Sequence, residues 1–152
     1  MATTTVGSRS PDISYAGPTL APGTMYYWRI QFVDVGGLTG AWSTTTSTIQ
    51  IANFAPSAPT SLLAEGETDP VNTIDTTPEF SAIYDDPNGI DSADRYRIQV
   101  SDSPSFTSLH WDSATSSMAT TAAGTRSPDV SYAGPALTPG TTYYWRIQFV
   151  DV

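Results

Sequence analysis

Residues 1–35 and 118–152 of this chain are nearly the same sequence. Aligned without a gap, they differ at seven positions: Thr5/Ala122, Val6/Ala123, Ser8/Thr125, Ile13/Val130, Thr19/Ala136, Ala21/Thr138 and Met25/Thr142. The period is therefore 118 − 1 = 117 residues. A unit of that length is one β-domain with its linker, so the chain spans one full unit and about a third of the next. The expected organisation is residues 1–52 as the C-terminal strands of one repeat, 53–59 as a Pro-rich linker, and 60–152 as the next repeat without its last strand. Met1 aligns with Met118, so the frame of the chain is expected to cut through a longer tandem array.

Within the unit, the hydrophobic pattern has a period of two. Phe80, Ala82 and Tyr84 alternate with polar or small residues. Tyr96, Ile98 and Val100 alternate with Arg95, Arg97 and Gln99, and Tyr143, Trp145, Ile147 and Phe149 with Tyr144, Arg146, Gln148 and Val150. Side chains of a strand point alternately to its two faces, so each stretch reads as a strand with one buried face. Strands are expected over 60–65, 78–84, 95–100, 106–111 and 141–151, with copies of the last over 24–34 and a closing strand over 41–51. Twelve Pro and eleven Gly between these segments, with abundant Ser and Thr, favour turns and strands and disfavour helix. The expected fold is all-β, an antiparallel β-sandwich in tandem repeats.

The residues around the strongest strand carry a resemblance. Leu137-Thr-Pro-Gly-Thr-Thr-Tyr-Tyr-Trp-Arg-Ile147 and Leu20-Ala-Pro-Gly-Thr-Met-Tyr-Tyr-Trp-Arg-Ile30 resemble the L-x-P-G-T-x-Y-x-x-R-V signature of fibronectin type III domains. The proline linker, the T-P-x-F-S strand, the D-P-N-G loop, W-D-S and G-x-W-S extend the likeness over nearly the whole unit. It looks most like the divergent repeats of large prokaryotic surface proteins. The resemblance implies an immunoglobulin-like sandwich in which Leu20 with Tyr26, and Leu137 with Tyr143, form a structural corner: the ring packs inward while the hydroxyl bonds a nearby backbone group. Ala82 departs from the pattern, since such domains place a core Trp there; Trp111 or Trp145 is expected to fill that volume.

Chemistry-bearing residues are sparse. The chain has one His, no Cys and no Lys, with six Arg against fifteen acidic residues for a net charge of −9. Without Cys there are no disulfides, thiolate metal sites or cysteine nucleophiles. His110 has no G-x-S-x-G elbow to accompany it, and no phosphate loop or H-E-x-x-H motif is present, so no catalysis is expected. The negative field opposes nucleic acid and anionic lipid surfaces. No apolar run is long enough for a membrane span, and no signal peptide is read in this segment.

One acidic cluster suggests chemistry. Asp85, Asp86, Asn88, Asp91 and Asp94 place hard oxygen donors in a single loop, with Gly89 for the turn, a composition suited to Ca²⁺. The spacing is not that of an EF-hand. Asp and Asn also favour turns without any metal, so a solvated hairpin loop stands beside the calcium reading.

Two functions remain open from the sequence. One is a non-catalytic structural or adhesive repeat of an extracellular or cell-surface fibre, stalk or filament, whose partners are neighbouring repeats or identical subunits; residues 36–52, placed ahead of a sandwich lacking that strand, allow head-to-tail assembly by β-strand complementation. The alternative is a carbohydrate- or protein-binding accessory module of a secreted enzyme or receptor-like protein. There, Trp42, Tyr27 and Tyr144 would stack on a glycan or meet a surface protein.

Overall fold

A computed structural model describes residues 3–151 of the chain. The chain divides into two compact units, Met1–Asn53 and Phe54–Val152. In the first, β1 (Met25–Trp28) pairs antiparallel with β2 (Ser47–Gln50), Tyr26 lying opposite Ile49 and Trp28 opposite Ser47. Asp34 closes the turn that follows β1, its Oδ1 accepting from the amides of Gly36 at 2.9 Å and Leu38 at 2.8 Å.

The second unit contains β3 (Thr60–Ala64), β4 (Glu79–Ile83), β5 (Ser92–Ser101), β6 (Trp111–Asp112), β7 (Ser116–Ala122), β8 (Val130–Ser131) and β9 (Tyr144–Asp151). These strands make two antiparallel sheets. One has the order β3-β4-β8; in the other, β5 is central, flanked by β6 and β7 on one side and by β9 on the other. The β5–β9 ladder runs from Ala93 opposite Asp151 to Ser101 opposite Tyr144, with a bulge between Ala93 and Arg95. That bulge keeps both Ala93 and Tyr96 on the inner face, because one extra residue restores the phase that odd spacing would lose.

The core lies between the two sheets and is built from the faces that the alternation predicts. Phe80, Ala82 and Tyr84 from the β4 segment, Ile98 and Val100 from β5, Val130 and Tyr132 around β8, and Ile147 and Phe149 from β9 are buried together. Burying a side chain such as Ile98 contributes about 1.5–3 kcal/mol. Both tryptophans of the unit pack against this core: Trp145 meets Phe80 with centroids 4.6 Å apart, and Trp111 meets Tyr132 edge-on at 4.9 Å.

Several boundaries differ from expectation. The strand expected over 106–111 is reduced to Trp111–Asp112, because Phe106 adopts a left-handed φ of +51° within a turn that carries the chain away from β5. The sequence pattern does not announce β7, Ser-Ser-Met-Ala-Thr-Thr-Ala, since its small polar residues show no alternation of large apolar side chains. The two-residue β8 is too short for any periodicity to register. Among the described residues no helix is long and apolar enough to cross a membrane.

Candidate functional site

At one end of the second unit, three carboxylates converge. Asp86 follows β4, Asp91 precedes β5, and Asp151 ends β9 beside Ala93. One carboxylate oxygen from each lies within 4.8 Å of the other two. The loop is shaped locally by the Asp86 Oδ1, which accepts from the Asn88 amide at 2.7 Å, and by Gly89, which takes φ +69°. Asp86 is only 4% exposed and Tyr84 is fully buried beside it. Among the described residues, the Oδ2 atoms of Asp86 and Asp91 and the Tyr84 hydroxyl are buried with no hydrogen-bond partner. Burial first, then the charges of Asp86, Asp151 and Asp91 and a hydrogen-bonding approach of the hydroxyl to the Asp86 carboxylate, push the Tyr84 phenol up to about 12. Burial, with the charges of Asp86 and Asp151, also raises the Asp91 carboxyl above its usual value.

The five loop residues singled out from the sequence do not act as one set. Asp85 Oδ1 accepts from the Asp86 amide at 3.0 Å, Asn88 Oδ1 accepts from the Phe54 amide at 2.9 Å, and Asp94 pairs with Arg95 at 3.1 Å. Only Asp86 and Asp91 turn inward, and their third partner, Asp151, comes from 60 residues beyond Asp91. A signal for this was present in the strand phase: Asp86 continues the inward series Phe80, Ala82, Tyr84, and Asp151 continues Trp145, Ile147, Phe149. An acid on the core-facing phase of a strand needs a partner. A second acidic group, Glu65, Asp75 and Glu79, also brings oxygens within 4.8 Å; it is exposed, and the Glu65 side chain is engaged by the Glu79 amide at 2.8 Å.

The outer face of the larger sheet is polar and ordered. Arg97 donates to both oxygens of Asp112, at 2.9 and 2.6 Å, and the Gln99 amide nitrogen donates to Asp112 Oδ2 at 2.8 Å. These hydrogen bonds, the Arg97 pair foremost, hold the Asp112 carboxyl well below the usual carboxylate range despite its partial desolvation. Arg146 donates to Gln99 Oε1 at 2.8 Å and lies over the Phe106 ring, 4.4 Å from its centroid. A shallow groove of about 310 Å³ runs between Arg97, Gln99, Arg146 and Gln148.

Of the residues considered for sugar stacking, Tyr27 and Tyr144 are exposed. Trp42 has one ring face covered by the Arg29 guanidinium at 4.2 Å. Arg29 and Arg146 thus lie over Trp42 and Phe106, which come from loops that fold over the two arginines. At the two corners, the Tyr26 hydroxyl accepts from the Ala21 amide at 2.9 Å and the Tyr143 hydroxyl from the Thr138 amide at 3.2 Å. Leu137 and Tyr143 pack against the core, and Leu20 and Tyr26 are half-buried. His110 lies against the Tyr143 ring with centroids 5.0 Å apart, its Nε2 3.3 Å from the Pro135 carbonyl.

Residues 2–51 and 59–152 match the family described as the Rha78A-like, N-terminal immunoglobulin domain. The chain belongs to this family. Membership of the Rha78A-like immunoglobulin domains agrees with the all-β sandwich and describes a non-catalytic module. It is an immunoglobulin-like family, so the fibronectin type III likeness of the Leu-x-Pro-Gly-Thr corner holds at the level of the sandwich that the two groups share. Among solved structures, an alpha-L-rhamnosidase from Dictyoglumus thermophilum is similar at 21% identity with a TM-score of 0.52, over 62% of this chain and 10% of that one. Likeness at that identity shows the fold. No curated protein matches the chain.

Proposed function

We propose that this chain is an accessory module of a secreted, rhamnosidase-like glycoside hydrolase, a spacer and docking domain carried outside the catalytic centre. The observation that supports it most is the family match over residues 2–51 and 59–152, whose description places such domains at an N-terminus. The likeness to a tenth of an alpha-L-rhamnosidase chain is consistent with a small domain in a much larger polypeptide. Of the two readings open from the sequence, the accessory module is favoured over the self-assembling fibre. The near-identical segments 1–35 and 118–152 then mark successive copies of the module in one polypeptide.

The test is to capture the native polypeptide from culture supernatant of its source with an antibody raised against this chain. A product of a size that holds further domains, releasing rhamnose from a chromogenic rhamnoside, is the expected result. A captured polypeptide made of these repeats alone, without glycosidase activity, would return the function to a fibre. In the accessory role, the outer-face groove between Arg97, Gln99, Arg146 and Gln148 is the surface that would meet a polysaccharide, since planar guanidinium and amide groups match paired sugar hydroxyls.

A further inference from the structure

We infer that Asp86, Asp91 and Asp151 form a calcium-binding site that clamps the β4–β5 loop to the end of β9. The site is distinct from the loop-only set of donors that the sequence suggested and does not depend on the accessory-module reading. Three features of the fold carry it.

First, the geometry suits one ion. Oxygens from the three carboxylates lie within 4.8 Å of one another, a separation spanned by a single Ca²⁺ with oxygen distances of roughly 2.3–2.6 Å. Carboxylates are the hard anionic donors that calcium prefers, and they do not depend on cysteine or histidine.

Second, Asp86 is buried and Asp91 and Asp151 are half-buried, and two of their oxygens are buried without a hydrogen-bond partner among the described residues. Asp86 is only 4% exposed, and its Oδ2 and the Asp91 Oδ2 lack hydrogen bonds of good geometry among the described residues. Leaving two carboxylate oxygens buried together costs several kcal/mol unless something satisfies them. A solvated turn leaves its carboxylates in water; the Asp86 side chain is turned away from it.

Third, no arginine among the described residues pairs with them. The ion pairs of the described residues are Arg9–Asp12, Arg95–Asp94 and Arg97–Asp112, and none includes the three carboxylates. Two or three negative charges confined to one partly buried site repel, and a divalent ion reverses the sign of that interaction.

The consequence is mechanical. The same loop holds the entering segment, through the Phe54 amide on Asn88 Oδ1 at 2.9 Å and the Ser57 amide on the Asp85 carbonyl at 3.0 Å. A bound ion therefore ties together the entry of the chain into the second unit and the end of its longest ladder.

The experiment uses the full chain stripped with a chelator and titrated with CaCl₂ in a calorimeter, alongside thermal unfolding with and without calcium. The expected result is one saturable site in the second unit and an increase in melting temperature of several degrees at calcium well above its Kd. Asp91→Asn and Asp151→Asn should each weaken binding about tenfold or more, yet leave the calcium-free protein as stable as the parent or more so, because each removes a repelling charge. That crossover separates a metal ligand from a residue needed only for folding. Asp94→Asn, already paired with Arg95, should bind as the parent does. Absence of saturable calcium binding, or binding lost in Asp94→Asn and unchanged in Asp151→Asn, would overturn the assignment.

Discussion

The Tyr143 hydroxyl accepts a hydrogen bond from the Thr138 amide, five residues back, at 3.2 Å. The bond crosses the Pro-Gly turn that leads into β9, where Gly140 adopts φ +78°. Side chain and turn thus fix each other, and the ladder against β5 starts in register. Tyr143→Phe keeps the ring against the core and deletes only the acceptor. The expected loss is about 1 kcal/mol, the net worth of one such bond, read as a lower urea midpoint with an unchanged m-value.

Gly134 sits where no side chain fits. A Cβ there would meet the Tyr132 hydroxyl at 2.5 Å and Trp111 Cγ at 2.7 Å, and the Tyr132 hydroxyl is itself held by the Pro135 carbonyl at 2.8 Å. Neither ring can retreat without leaving the core. Gly134→Ala is expected to cost about 1–3 kcal/mol, the range for overpacking, and to red-shift Trp111 emission as the Trp111–Tyr132 contact opens to water. An unchanged melting temperature would contradict the packing described.

The Arg97–Asp112 pair makes stability depend on acid. The Asp112 carboxyl is lowered in the folded state, chiefly by its hydrogen bonds from Arg97, so the folded protein binds the proton less tightly than the unfolded chain does. Its contribution is fully present above the unfolded value near pH 4 and is lost as pH falls through the folded value. Asp112 is partly exposed, which limits the contribution to about 1 kcal/mol. Unfolding followed from pH 6 to pH 2 should therefore show a shallower acid decline in Asp112→Asn than in the parent.

Ala114 carries a left-handed φ of +51° just after β6, with its amide donating to Asp112 Oδ1 at 2.9 Å. An L-residue with a Cβ pays about 1 kcal/mol in that region, and glycine does not. Ala114→Gly keeps the amide donor and is expected to raise stability by a few tenths to about 1 kcal/mol, measurable as a higher denaturation midpoint.

Much of the sandwich could be read from the alternation of Phe80, Ala82 and Tyr84, of Tyr96, Ile98 and Val100, and of Trp145, Ile147 and Phe149, because period-two burial is a local property of a pleated chain. The acidic site could be read only in half. Asp86 and Asp91 lie close in sequence, but Asp151 reaches them through the β5–β9 register, a long-range pairing that no local pattern encodes. Asp85, Asn88 and Asp94 have the right chemistry and point elsewhere, since backbone amides and Arg95 compete for their oxygens.

The repeated segments separate what a sequence determines from what tertiary structure decides. Tyr15 and Tyr132 occupy the same position in copies that differ little, yet Tyr15 is 64% exposed and Tyr132 is 4% exposed; Phe32 and Phe149 differ likewise, at 45% and 3%. The sequence by itself determined the strand-forming alternation of both copies and the tyrosine corners, which form in each. Whether Trp-Arg-Ile-Gln-Phe-Val-Asp becomes a continuous strand depended on tertiary structure. After Trp145 it runs on to Asp151 because β5 supplies backbone partners and a facing sheet to bury the aromatic side. After Trp28 the ladder stops, because β2 pairs only as far as that residue. A strand's hydrogen bonds and most of its buried area belong to its neighbours, so identical residues reach different structures when the neighbours differ.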